Sequence, residues 1–224
     1  MPLPPQTMQD KNGLPTGYAT SILQAVAKRL DWDIDIRYMP WLRVVADSKM
    51  GQCDIAYTVL KRPDYEEFLV FPRNWVLEQK NVLVVLRTSD LRFNGNLEQF
   101  MRLHTIGLYR DKAVDAQFEK LRRAPWARIE LANDPSQNFA KLFMNRFEAA
   151  IENDMTTVYE VGKLGRLDEI EILSPPLNIT PAYIVFAKAG RLANSINEFD
   201  AAMDSFMRSD EVRLLNRQYF GALK

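Results

Sequence analysis

The 224-residue chain holds a single histidine, His104, and a single cysteine, Cys53. One imidazole leaves little room for zinc enzymes or histidine-based triads, and one thiol rules out an internal disulfide or a multi-cysteine metal centre. Gly-x-Ser-x-Gly and the glycine-rich phosphate loops are absent, so no metal, no cofactor and no catalytic residue is expected. Glu152 and Asp154 are the nearest candidates for a general acid. What remains is the chemistry of recognition. The planar guanidinium of Arg62 can grip both oxygens of a carboxylate, or it can lie on the surface against Asp64, Glu66 or Glu67. The indole of Trp41 suits either a flat ligand wall or the core. Arg43 reads as a second anion anchor or as half of a structural ion pair. Tyr57 and Thr58 place hydroxyls at the end of a strand, and Tyr109, Arg110 and Lys112 precede a helix whose first amides can face an anion. His104 reads as exposed or structural, and Cys53 as a small buried apolar side chain.

Alternating strands and helices must position these groups. After a turn at Gly13–Gly17, the spacing of Ile22, Val26 and Leu30, with Leu23 and Ala27 beside them, predicts an amphipathic helix over 20–30 that Thr20 or Ser21 can cap. Asp33 to Tyr38 alternates polar and apolar, a strand signature, before Pro40 breaks the chain. A short helix over 42–50 and a strand over 54–57 follow. Val82–Leu86 is a longer apolar strand. A second α/β stretch has strands at 105–108, 128–131 and 149–151 and helices at 113–121 and 136–145. The long strand Ala182–Ala187 and helices at 192–207 and 211–219 close the chain. Such alternation implies a parallel-rich sheet covered by helices. Two long strands bracketing the central stretch suggest one lobe inserted into another, with a ligand site at the interface.

The totals agree with a binding module. Apolar residues make up 47 % of the chain, enough for a packed core. Lys and Arg total 29, as do Asp and Glu, so the basic excess of a nucleic-acid binder is missing. No apolar run approaches the roughly 20 residues of a membrane-spanning helix, and Met1-Pro2-Leu3-Pro4-Pro5 is not a secretory leader.

Local patterns, taken in order, resemble family 3 of the bacterial extracellular solute-binding proteins, which serve polar amino acid import. They are Pro4-Pro5; Gly-Leu-Pro-Thr-Gly-Tyr at 13–18; Pro40-Trp41-x-Arg43; Gly51-Gln52-Cys53-Asp54-Ile55; Tyr57-Thr58-Val59-Leu60-Lys61-Arg62; and Phe71-Pro72. Arg146 through Asn153 and the stretch from Ile196-Asn197 to Tyr219-Phe220-Gly221 carry the likeness through the second half. The resemblance implies a two-lobed, type II periplasmic-binding-protein-like clamp, each lobe a mostly parallel sheet flanked by helices. Two hinge strands would fall near 82–86 and 180–185, with residues 1–83 plus 182–224 as lobe 1 and 84–181 as lobe 2.

The resemblance also assigns roles. Arg62 would hold the ligand's α-carboxylate and Trp41 would form an aromatic floor. Tyr57, Thr58, Tyr109, Arg110 and Lys112 would complete the ligand-binding set, the last three bulkier and more cationic than the family's usual small residues. Asn153 stands where amino-acid-binding members carry an aspartate for the α-ammonium, which puts an α-amino acid ligand in doubt, and Val59 replaces a threonine. The family's first strand, which precedes Pro-Pro, has almost no counterpart here, so the sheet of lobe 1 should be affected. The implied activity is binding of a small polar or anionic solute, amino-acid-like or carboxylate-bearing, for delivery to the membrane permease of an ABC transporter. The protein would be periplasmic with its leader removed, monomeric and not an enzyme. Ligand sensing in a signalling system and a dehydratase-like enzyme on the same fold are the alternatives.

Overall fold

The computed structural model describes residues 4–110, 112 and 114–221. The chain divides into two compact units: a first unit of residues 1–78 and 180–224, and a second of 79–179.

The first unit begins with the short hairpin β1 (Met8–Gln9) and β2 (Pro15–Thr16) and enters α1 (Tyr18–Arg29). Helix α1 buries Ile22, Leu23, Val26 and Ala27 on one face, as their spacing requires. Its start departs from expectation. Thr20 lies inside the helix, and the N-cap is Gly17, which makes no side-chain cap. The carbonyls of Pro5 and Gln6 take the amides of Tyr18 and Ala19 instead, both at 2.9 Å. Gly17 has φ 113°, and a Cβ there would lie 2.7 Å from the Gln6 carbonyl oxygen, so only glycine allows this approach. After α2 (Trp41–Lys49) come β3 (Ile55–Leu60), the single turn α3 (Pro63–Glu66) and β4 (Leu69–Val70).

Strand β5 (Leu77–Leu86) leads into the second unit. There follow α4 (Leu97–Leu103), β6 (Ile106–Tyr109), α5 (Ala116–Leu121), β7 (Ile129–Ala132), α6 (Pro135–Phe143), β8 (Ala149–Asn153), α7 (Asp154–Lys163) and β9 (Ile170–Ile172). Strand β6 pairs in parallel with β7 and β8, while β8 and β9 pair antiparallel to β5. Alternate residues of β5 go to opposite faces: Leu83 and Val85 into one apolar cluster with Phe100, Met101 and Phe118, Val82 and Val84 into another with Phe139, Leu142 and Phe147. A sheet packed on both faces reads as a continuous apolar run, which is why Val82–Leu86 stands out in the sequence.

Strand β10 (Asn178–Ala187) returns the chain to the first unit, which α8 (Ile196–Met207) and α9 (Asp210–Phe220) complete. Within that unit β10 carries β3 on one edge and β4 on the other, both antiparallel, with Phe186 opposite Ile55 and Val70. The mostly parallel pairing expected of each lobe is therefore found around β6 and not here. The reason is a second departure from expectation: residues 33–40 form no strand, although 33–38 have the alternation of one. They have no strand neighbour, and a single extended segment without a ladder leaves its amides to water.

Candidate functional site

In the first unit the candidate residues gather where β3 ends. Strand β3 runs on to Leu60, past Tyr57 and Thr58. Between Tyr183 and Ile184 of β10 the register slips, so that Thr58 is the extra residue of a bulge, at φ 61°. A β-branched residue in the left-handed region is strained, and bulges of this kind re-aim the chain beside functional sites. The Thr58 hydroxyl donates to the Tyr57 carbonyl at 2.6 Å. The Tyr57 phenol turns inward, 3.2 Å from the Thr20 hydroxyl, and burial pushes its pKa upward. It acts as an internal tie rather than a free donor.

Arg62 follows in extended conformation at φ −142°, as the residue before Pro63 must, and Pro63 opens α3. Its guanidinium is 59 % exposed and forms a two-point pair with Asp64, Nε to Oδ1 at 2.9 Å and Nη2 to Oδ2 at 3.1 Å. That pairing lowers the Asp64 pKa and raises that of Arg62. The same guanidinium lies over the Tyr65 ring at 4.9 Å. Trp41 borders Tyr65 with ring centroids 5.2 Å apart, and its indole N–H donates to the Tyr65 hydroxyl at 2.9 Å. Arg62, Trp41 and Tyr65 thus form one exposed aromatic and cationic shelf. Tyr65 was not singled out from sequence; its signal was its place three residues after Arg62, on the turn that Pro63 starts. Arg43 is the structural reading of its two, paired with Asp47 at 2.8 Å one helical turn on.

In the second unit the candidates lie around the end of β8. Lys112 does not add an open cation. Its ammonium is 2.6 Å from Glu152 Oε1, with the two side chains 7 % and 2 % exposed. Glu152 Oε1 also accepts from the Asn153 amide at 2.7 Å, while Oε2 is buried without a hydrogen-bond partner. Asn153 caps α7, its Oδ1 accepting from Met155 and Thr156, and its carbonyl accepts from the Thr157 hydroxyl at 2.9 Å. Tyr109 ends β6, half-buried, and Arg110 is exposed. The expected helix amides behind them are not presented as an anion site: α5 begins only at Ala116, and Asp115 already caps it through the Phe118 amide at 2.7 Å. A row missed from sequence runs alongside, with Asn81 opposite Asn153 in register, Asn81 donating to Asn178, and Asn178 donating to the Val114 carbonyl. Isolated asparagines carry no spacing signal, so only the register brings them together.

Glu152, inside its ion pair, is not poised as a general acid, and the Asp154 carboxylate accepts from the Met155 amide. His104 lies against Phe100, ring centroids 4.7 Å apart and planes tilted by 49°, and Cys53, only partly buried, donates to the Ile55 carbonyl at 3.2 Å. Among the described residues no cluster of His, Cys, Asp and Glu could hold a metal ion, and no helix is long and apolar enough to cross a membrane.

Comparison with known proteins places this arrangement. The family model of bacterial extracellular solute-binding proteins, family 3, matches residues 1–222. The Virulence sensor protein BvgS of Bordetella pertussis is 21 % identical over 204 residues, which is 90 % of this chain but only 16 % of that protein. Among solved structures, the probable amino-acid ABC transporter extracellular-binding protein ytmK of Bacillus subtilis superposes with TM-score 0.78 at 16 % identity, covering 98 % of this chain and 94 % of that one. The L-cystine solute receptor of Neisseria gonorrhoeae, unliganded and open, does so with TM-score 0.76 at 18 % identity, covering 98 % and 89 %. These likenesses show a type II periplasmic-binding-protein fold.

Proposed function

Since the chain belongs to the bacterial extracellular solute-binding proteins, family 3, which bind and do not catalyse, we propose that it holds a small carboxylate-bearing solute for delivery to an ABC transporter permease. The two compact units serve as the lobes of a clamp. Arg62 is the anion anchor and Trp41 the wall, with Thr58, Tyr109, Arg110 and Asn153 supplying further contacts. Lys112 acts through Glu152 and shapes the second unit instead of meeting the ligand. The protein works outside the cytoplasmic membrane, in the periplasm.

The observation that carries this reading is Arg62 itself. A guanidinium backed by an aromatic ring and held at a strained strand end is oriented before any ligand arrives, which lowers the ordering cost of binding. Asp64 occupies its two-point face meanwhile, as a ligand carboxylate would. Asn153 caps α7 with its oxygen and brings no negative charge, which favours a ligand without an α-ammonium. A second reading is sensing: the curated relative is a sensor protein of which this chain matches a small part. The same ligand would then close the clamp to signal rather than to deliver.

The test is a thermal-shift screen of amino acids, dicarboxylates and amines, with wild type and Arg62→Ala side by side. Millimolar ligand at a micromolar site stabilises the folded state by about 4 kcal/mol. Loss of a charge-assisted two-point bond should weaken the hit at least about tenfold. A hit that survives Arg62→Ala unchanged removes Arg62 as the anchor.

A further inference from the structure

The second unit concentrates positive charge on one short stretch. Between Glu119 and Glu130 the chain has four basic residues and no acidic one, although the two kinds balance over the whole sequence. Packing decides where that stretch lies. Helix α4 turns Leu97, Phe100 and Met101 inward and α5 turns in Phe118 and Leu121, which leaves Arg102, Leu103 and Lys120 exposed. The chain then leaves α5 through a tight turn. The Leu121 carbonyl accepts from the Ala124 amide and the Ala124 carbonyl from the Ala127 amide, both at 3.0 Å. That turn exposes Arg123 and Arg128 and brings Trp126 to the end of α4, where the Arg102 guanidinium lies over its ring at 4.1 Å. Trp126 also packs on the apolar cluster that Leu83 and Ile106 share. Arg128 donates to the Leu103 carbonyl at 2.6 Å, so the end of α4 and the turn after α5 form one continuous surface.

We propose that this surface docks on the anionic phospholipid headgroups of a membrane, whichever solute the protein holds. Three observations favour that occupant. First, the charge is available. Arg102 and Arg122 are paired with Glu98 and Glu119, but Lys120, Arg123 and Arg128 keep no ion-pair partner among the described residues. Cations left uncompensated on one surface attract an anionic one. Second, apolar groups lie among the cations. Leu103 is 63 % exposed, and the half-buried Trp126 ring sits under Arg102. At a bilayer boundary a leucine enters the acyl region, while tryptophan and arginine hold an apolar body inward and a polar end among the headgroups. Third, Lys120 and Arg123 make no side-chain hydrogen bond among the described residues. Long side chains left unheld can follow mobile headgroups, whereas a protein of fixed shape is better met by a cation already oriented.

The experiment is co-sedimentation of the 224-residue chain, without added solute, with vesicles at millimolar lipid. One set is phosphatidylcholine alone and the other equal parts phosphatidylcholine and phosphatidylglycerol. Binding is expected only to the mixed vesicles and should weaken as salt screens the attraction. Each basic residue at such a surface is worth about fivefold in partitioning, so Lys120→Gln with Arg123→Gln should cost about twentyfold. Both side chains are exposed, so Tm should stay unchanged in that variant. Equal binding to the two sets, binding to neither, or mixed-vesicle binding that survives the double substitution overturns the proposal. A protein that ignores the vesicles but is retained on immobilised polyglutamate through Lys120 and Arg123 overturns it too, because the occupant is then an acidic protein.

Discussion

The two compact units treat their candidate charges in opposite ways. In the first unit Arg62 lies in the open, held by an aromatic ring and an exposed aspartate. In the second, Lys112 and Glu152 are sealed together, and Asn153 turns its oxygen to a helix N-terminus. An exposed ion pair is worth little and exchanges readily for an outside anion. A buried one is costly to break and holds its surroundings in register. The contrast teaches that charge alone does not nominate a ligand contact. An accessible charge such as Arg62 is free to meet a ligand, whereas Lys112 and Glu152 serve to hold the second unit together.

That contrast can be broken most directly at Glu152. Glu152→Ala strands the Lys112 ammonium inside the second unit and should cost about 3–5 kcal/mol in urea unfolding, with Lys112→Met in the same chain restoring much of it. A loss near zero would mean that the pair is solvated and the two halves are alike. Asn153→Ala should cost about 1 kcal/mol through the lost α7 cap, whereas Asn153→Asp keeps the cap and leaves stability nearly unchanged. Equal losses in both would deny Asn153 its capping role.

Smaller effects sharpen the first half. Asp64→Asn frees the Arg62 guanidinium, so affinity for a carboxylate ligand found in the screen should rise by about two- to fivefold by calorimetry. Weaker binding would show that Asp64 positions Arg62 instead of competing with the ligand. The least effect is expected from pH at Asp54, whose bonds to Arg191 lower its pKa. A depressed folded pKa contributes stability above the unfolded value, near 4, and this is lost as pH falls through the folded value. Asp54→Asn should therefore lower Tm slightly from neutrality down to about pH 4 and leave it unchanged in strong acid, which flattens the acid limb of the Tm–pH curve.

Several of these features were legible from residue types and spacing. The apolar face of α1 follows from periodicity, strand β5 from its continuous apolar run, and the extended backbone of Arg62 from Pro63. Other features were not. The alternation over 33–38 predicts a strand, but a strand needs a neighbour, and pairing is decided by segments distant in sequence. Thr20 has the chemistry of a cap, yet two carbonyls from Pro5 and Gln6 satisfy the helix start and send its hydroxyl to Tyr38 and Tyr57. The role of Lys112 depended on a glutamate 40 positions away.

By itself, then, the amino-acid sequence determined the α/β class and the presence of an arginine suited to carboxylates, because periodicity and side-chain chemistry are local properties, and its motifs in order carried the resemblance to the family. Tertiary structure alone decided which charges are open and which are spent on each other, and where the bulge strains Thr58. Each of these is a relation between residues far apart along the chain, and burial and pairing exist only once the chain has folded.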